Sequence, residues 1–119
     1  MQVKYKETVL YFRIYAELIN AAQYQGLITY QDMAVIMGLK PKGSYMGKET
    51  GQILGEISLN EHQQARPMLS ALAVGVSGVP GGGFYSFAKD LGYEFENTRE
   101  SKLEFWRNQR KLLYDIWKK

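Results

Sequence analysis

The chain has 119 residues, a net charge of +3 from 15 basic and 12 acidic side chains, and no cysteine. That length holds one domain rather than two, and an apolar content of 45% with 13% aromatics marks a chain with a core, not a disordered tail. Absence of cysteine excludes disulfides, thiolate nucleophiles and cysteine-ligated metal sites, while no apolar run approaches the roughly 20 residues of a membrane span and Met1 to Glu7 lacks a signal-peptide core, so a cytoplasmic protein is expected.

Leu10, Ile14, Leu18 and Ala22 recur every four residues, with Tyr11, Tyr15 and Ile19 on the adjacent stripe. This spacing predicts an amphipathic helix over Lys6–Gln25, ended by Gly26 in the left-handed conformation. Thr29, with Asp32 three residues on, is a capping-box pattern that opens a second helix to Met37, and Gly38 stops it. Pro41 and Gly43 make Leu39–Ser44 a connector.

A third helix is expected over Tyr45–Ile57. Gly47, Gly51 and Gly55 form one row on it, at a propensity cost of about 1 kcal/mol per glycine. Such a row serves either close packing against a neighbour or a bare approach to a nucleic-acid backbone. Ser58 with Glu61 forms another capping box, which predicts a bend and a separate short helix to Ala65, and Pro67 bars its continuation.

The apolar run Met68–Val76, bounded by turn signals, reads as a buried strand. Ser77–Gly83 is a turn or loop, and Phe84, Phe87, Ala88 and Leu91 are spaced for a short helix closed by Gly92. Tyr93–Glu96 reads as a brief strand or a linker. Asn97 with Glu100 caps a last helix to Trp117, whose apolar stripes are Phe105, Leu112, Ile116 and Trp106, Leu113, Trp117. The expected fold is mainly α with a small β element, a single domain over 1–119. Its winged-helix-like centre spans 26–92, between long N- and C-terminal helices, and a basic, aromatic helix occupies 97–119.

Charge is concentrated at the end of the chain. From Arg99 to Lys119 there are seven basic residues against three acids, an excess of +4 that exceeds the whole-chain +3. Candidate nucleic-acid contacts are therefore Arg107, Arg110 and Lys111 on the last helix, with Lys40, Lys42, Tyr45, Lys48 and Gln52 around the third. The glycine-rich loop lacks the Gly-Lys-Ser/Thr ending of a P-loop, and reads as a plain turn or as a wing tip touching phosphate.

A different chemistry is conceivable around the single histidine. Glu56, Glu61, His62 and Arg66, with Ser70 beyond, supply the residue types of a small hydrolase or nuclease-like site; a solvated surface histidine is the plainer alternative. The acids show neither EF-hand nor His-Glu-x-x-His spacing, and no metal or cofactor is expected. The aromatic stripes of the last helix serve either core packing or a homodimer, for which Trp117 is the natural anchor.

The segment Thr29-Tyr30-Gln31-Asp32-Met33-Ala34, followed by Gly38, Gly43 and Met46-Gly47, resembles the start of the DNA-binding domain in the O6-alkylguanine DNA alkyltransferase family and its alkyltransferase-like relatives. The resemblance is confined to this segment. Gln31 stands where that family has glycine, and Arg66-Pro67 stands where it has Pro-Cys-His-Arg. It implies a winged helix-turn-helix and duplex DNA as the partner, while the absence of cysteine removes alkyl transfer to the protein. The expectation is a small, non-covalent DNA-binding or DNA-associated protein of bacterial or phage type; the alternatives are the small enzyme and the homodimeric interaction protein.

Overall fold

The computed structural model describes residues 2–119. Along them run α1 (Val9–Gln23), β1 (Ile28–Thr29), α2 (Tyr30–Ile36), α3 (Gly43–Gln63), β2 (Ala73–Val74), α4 (Gly82–Asp90) and α5 (Arg99–Trp117), with a 3-10 turn at Leu69–Leu72 leading into β2. The molecule is thus mainly helical with a minimal sheet. Among the described residues, no helix is long and apolar enough to cross a membrane.

Helix α1 starts later than its periodicity implies, because the Thr8 hydroxyl accepts the Tyr11 N–H and fixes the first turn there. It buries Tyr11, Ile14, Leu18 and Ala22. Its end is a Schellman motif in which Gln25, not Gly26, takes the left-handed conformation at φ 56°, while the Gly26 N–H reaches the Ala21 carbonyl. Helix α2 begins as expected, with the Thr29 hydroxyl accepting the Asp32 N–H, and Gly38 at φ 74° closes it.

The bend expected at Ser58 does not exist. Helix α3 runs unbroken through it, and Ser58 is fully buried rather than capping a surface turn. Its hydroxyl donates to Ser70 Oγ at 2.8 Å and accepts the Ser70 N–H at 3.2 Å. A capping serine competes with helix only when its partners are local; here they lie across the core.

The strand expected over Met68–Val76 shrinks to two residues, because only Ile28 and Thr29 are available to pair with it, in parallel register with Ala73 and Val74. Side chains take up several of the other buried peptide groups. Gln109 Oε1 accepts the Met68 N–H at 3.1 Å, and Trp106 Nε1 donates to the Ala71 carbonyl at 2.7 Å. An amide in this position must be paired or it destabilises the fold. The glycine-rich segment then passes from β2 into α4 rather than turning back as a hairpin. Residues 93–96 form no strand, but lay Tyr93 and Phe95 against Phe105, at ring separations of 5.3 and 4.5 Å.

Helix α5 is capped by Thr98, one residue later than expected, its hydroxyl accepting the Ser101 N–H. The helix packs on α1 and the 3-10 turn. Only one predicted stripe faces inward: Trp106, Gln109 and Leu113 are buried, whereas Leu112 and Ile116 are 47% and 48% exposed. The core lies where α1, α3, α5 and the 3-10 turn meet, around Ile14, Leu18, Ile57, Leu69, Leu72 and Leu113.

Candidate functional site

The first half of α3 is exposed at Gly43, Ser44, Tyr45, Gly47, Lys48 and Gly51. Lys42 occupies its N-cap position without a side-chain capping bond, so the first-turn amides are not satisfied by a cap. Lys40, Lys42 and Lys48 are exposed around this end, and Tyr45 is 61% exposed. The one acid between Lys40 and Gly55 is Glu49, and it is turned inward. Lys4 Nζ and the Tyr5 hydroxyl both donate to Glu49, and these bonds hold its carboxyl below the usual carboxylate range, Lys4 acting most strongly. The surface left outward is positive.

On the same half of the helix, Gly47 and Gly51 are exposed, and a Cβ added to either meets no atom within 4 Å. No element packs against them, so the close-packing explanation does not apply to these two positions. They form instead one wall of a cavity of about 400 Å³, continued inward by Thr50, Leu54 and Gly55. Opposite stand Phe84 and Phe87 of α4, and Tyr30 from the start of α2 lines it too. The Gly81 N–H donates to the Tyr30 hydroxyl at 2.8 Å, which ties the glycine loop to α2. Burial pushes the Tyr30 hydroxyl above its ordinary pKa, partly offset by that bond. Ser70, one of the residues considered for catalysis, reaches this cavity with its hydroxyl engaged by Ser58.

Of the other four residues of that alternative site, only Glu61 and Arg66 are brought together. Glu56 clamps the N-terminal segment: its carboxylate accepts the N–H groups of Lys4, Tyr5 and Lys6 at 2.8–3.1 Å and the Gln52 side chain at 2.8 Å. Burial raises its pKa, but these donors outweigh burial and leave it below the usual range. Glu61 is fully buried and receives two bonds from Arg66, at 2.9 and 2.7 Å, and one from the Tyr15 hydroxyl. Burial first, then Glu61, pushes Tyr15 up to about 12. Arg66 folds back over the helix end, its guanidinium 5.6 Å from the Trp117 ring, and its bonds to Glu61 hold it protonated. His62 is exposed, edge-on to Tyr93 at 5.7 Å. Among the described residues, no group of three histidine, cysteine, aspartate or glutamate side chains is arranged to hold a metal ion.

The nucleic-acid candidates fall into two sets. Lys40, Lys42, Tyr45, Lys48 and Gln52 gather on α3 and the connector before it, although Gln52 is half-buried and donates to the Gln2 carbonyl and to Glu56. Arg107 and Lys111 are exposed on α5, and Arg110 lies 4.5 Å over the Trp106 ring. The α3 set is flanked by α2 and α4, whereas α5 has α1 and the 3-10 turn as its main neighbours. Sequence reasoning singled out the glycine row but missed Tyr30, Phe84 and Phe87 as its opposite walls, since their spacing reads equally well as core.

Comparison of the chain with protein-family models, with curated proteins and with solved structures found no match.

Proposed function

We propose that the protein binds nucleic acid non-covalently, with duplex DNA as the partner, through the first half of α3. In this reading α2 and α3 act as a helix-turn-helix, and the loop between β2 and α4 takes the place of a wing. The observation that carries it is the outward surface of α3: an uncapped N-terminus, Lys40, Lys42 and Lys48 exposed, and the lone acid of that stretch buried and neutralised by Lys4. A helix N-terminus favours anions, and the lysines add point charges for phosphate. Bare Gly47 and Gly51 let a sugar-phosphate backbone approach the helix axis closely.

The test is fluorescence anisotropy with labelled duplex and single-stranded oligonucleotides over a salt series. Phosphate contacts release counterions, so affinity falls linearly with salt on logarithmic axes. The Lys42→Ala, Lys48→Ala double variant is expected to weaken binding to all sequences alike and to flatten that slope by about two. The corresponding Arg107→Ala, Arg110→Ala variant reports on α5 separately. No binding at low salt to either form of DNA rejects the proposal.

A further inference from the structure

The cavity between α3 and α4 has an uncharged, aromatic lining that phosphate binding does not account for. Its volume of about 400 Å³ lies in the range of small-molecule sites. No lysine, arginine, histidine, aspartate or glutamate lines it. One wall is bare helix, since Gly47 and Gly51 carry no side chain and no neighbour covers them. The facing wall is aromatic, from Phe84 and Phe87, with the Tyr30 ring held by the Gly81 N–H. Polar groups on the lining are few and uncharged. The Thr50 hydroxyl donates to the Met46 carbonyl, the Gln52 amide to Gln2 and Glu56, and the Ser70 hydroxyl is paired with Ser58, whereas the Tyr30 hydroxyl only accepts the Gly81 N–H.

We propose that this cavity is a binding site for a free, uncharged, planar heteroaromatic small molecule, seated between the glycine face of α3 and the rings of α4. Flatness follows from the walls, because a helix stripped of side chains opposite aromatic rings accommodates a ring and stacks on it. Neutrality follows from the lining, because an ion moved into an apolar site without a counter-charge loses its hydration uncompensated. A ring heteroatom has a partner in the Tyr30 hydroxyl, which accepts the Gly81 N–H and keeps its own proton to donate. The glycine row, unfavourable for a helix, then has a use that core packing does not supply.

This site goes beyond the nucleic-acid reading and is tested with free small molecules, an oligonucleotide serving only as a further control. Amide chemical shifts of the full-length protein are followed by NMR during titration with indole and with quinoline, against cyclohexanol, benzoate and inorganic phosphate. The two aromatic probes are expected to give saturable shifts at Gly47, Gly51, Gly81 and Gly83, and the three controls none. Gly51→Leu fills the cavity from a position where a side chain meets open space, so it is expected to unfold at or above the wild-type temperature while abolishing the shifts. Gly47→Leu serves the same purpose if Gly51→Leu fails to fold. Phe87→Ala is expected to weaken binding about tenfold, the worth of one stacking contact. The proposal is overturned if the aromatic probes leave these amides unmoved, if the controls move them equally, if the folded leucine variant binds as well as wild type, or if only an oligonucleotide shifts them.

Discussion

Ala65 occupies the left-handed region at φ 59°, where its N–H reaches the His62 carbonyl and the following Arg66 N–H reaches Glu61. A side chain in that conformation is strained by about 1–2 kcal/mol. The strain persists because it aims Arg66 back at the buried Glu61 carboxylate, and an unpaired charge there is far more costly. Ala65→Gly removes the clash and keeps the path of the chain, offset in part by glycine's greater freedom when unfolded. The expected result is a gain of about 0.5–1 kcal/mol, read as a raised urea midpoint at unchanged slope. The same ion pair explains residues that look catalytic on paper: Glu61 and Arg66 hold the end of α3 to α1 through Tyr15, and Trp117 covers the guanidinium.

At the scale of elements, α3 organises the molecule. Its outer first half carries the lysines and the open glycines, and its inner second half is buried from Ile53 through Ser58. Ser58 joins that half to the 3-10 turn, since the Ser70 N–H has no other acceptor among the hydrogen bonds described. Ser58→Ala leaves this buried donor unsatisfied and is expected to lower stability by about 1–3 kcal/mol. Chemical denaturation measures it, and a loss below about 0.5 kcal/mol, the range of an ordinary surface substitution, argues against the role. The two-residue strands are too short to hold themselves together. Their position depends on Ile28, Ala73 and Val74 being buried in the common core.

Across the whole molecule, the N-terminal segment is strapped to α3 by two carboxylates, Glu49 and Glu56, whose pKa values both lie below the ordinary 4.5. Groups depressed in the folded state bind fewer protons there than in the unfolded chain, so stability rises with pH through that window. The strap's contribution is therefore complete above pH 4.5 and is lost as pH falls through the lowered folded values. Wild-type urea midpoints are expected to hold from neutral pH down to about 5 and then decline. Glu56→Gln, which cannot titrate, starts from a lower midpoint and declines less steeply. Equal slopes for the two proteins would show that Glu56 does not carry the effect.

The sequence by itself determined the mainly helical class, the Thr29 cap and Gly38 stop of α2, the inward stripe of α1 and the glycine row of α3. Each depends on contacts within a turn or two, which periodicity and capping chemistry encode directly. Tertiary structure alone decided the rest. Ser58 was misread because its hydrogen-bond partner lies 12 residues away, and the strand beyond Met68 because side chains from α5 took its amides. The apparent cluster of Glu56, Glu61, His62 and Arg66 dissolved for a related reason: successive residues on a helix point to different sides. One carboxylate met the N-terminal segment, the other met Tyr15 and Arg66, and the histidine stayed outside. The cavity was equally hidden, since its walls come from α2, α3 and α4 and only folding sets Tyr30, Phe84 and Phe87 across from bare glycines. Local order follows from neighbours along the chain; a site assembled from three helices follows only from how their faces pack.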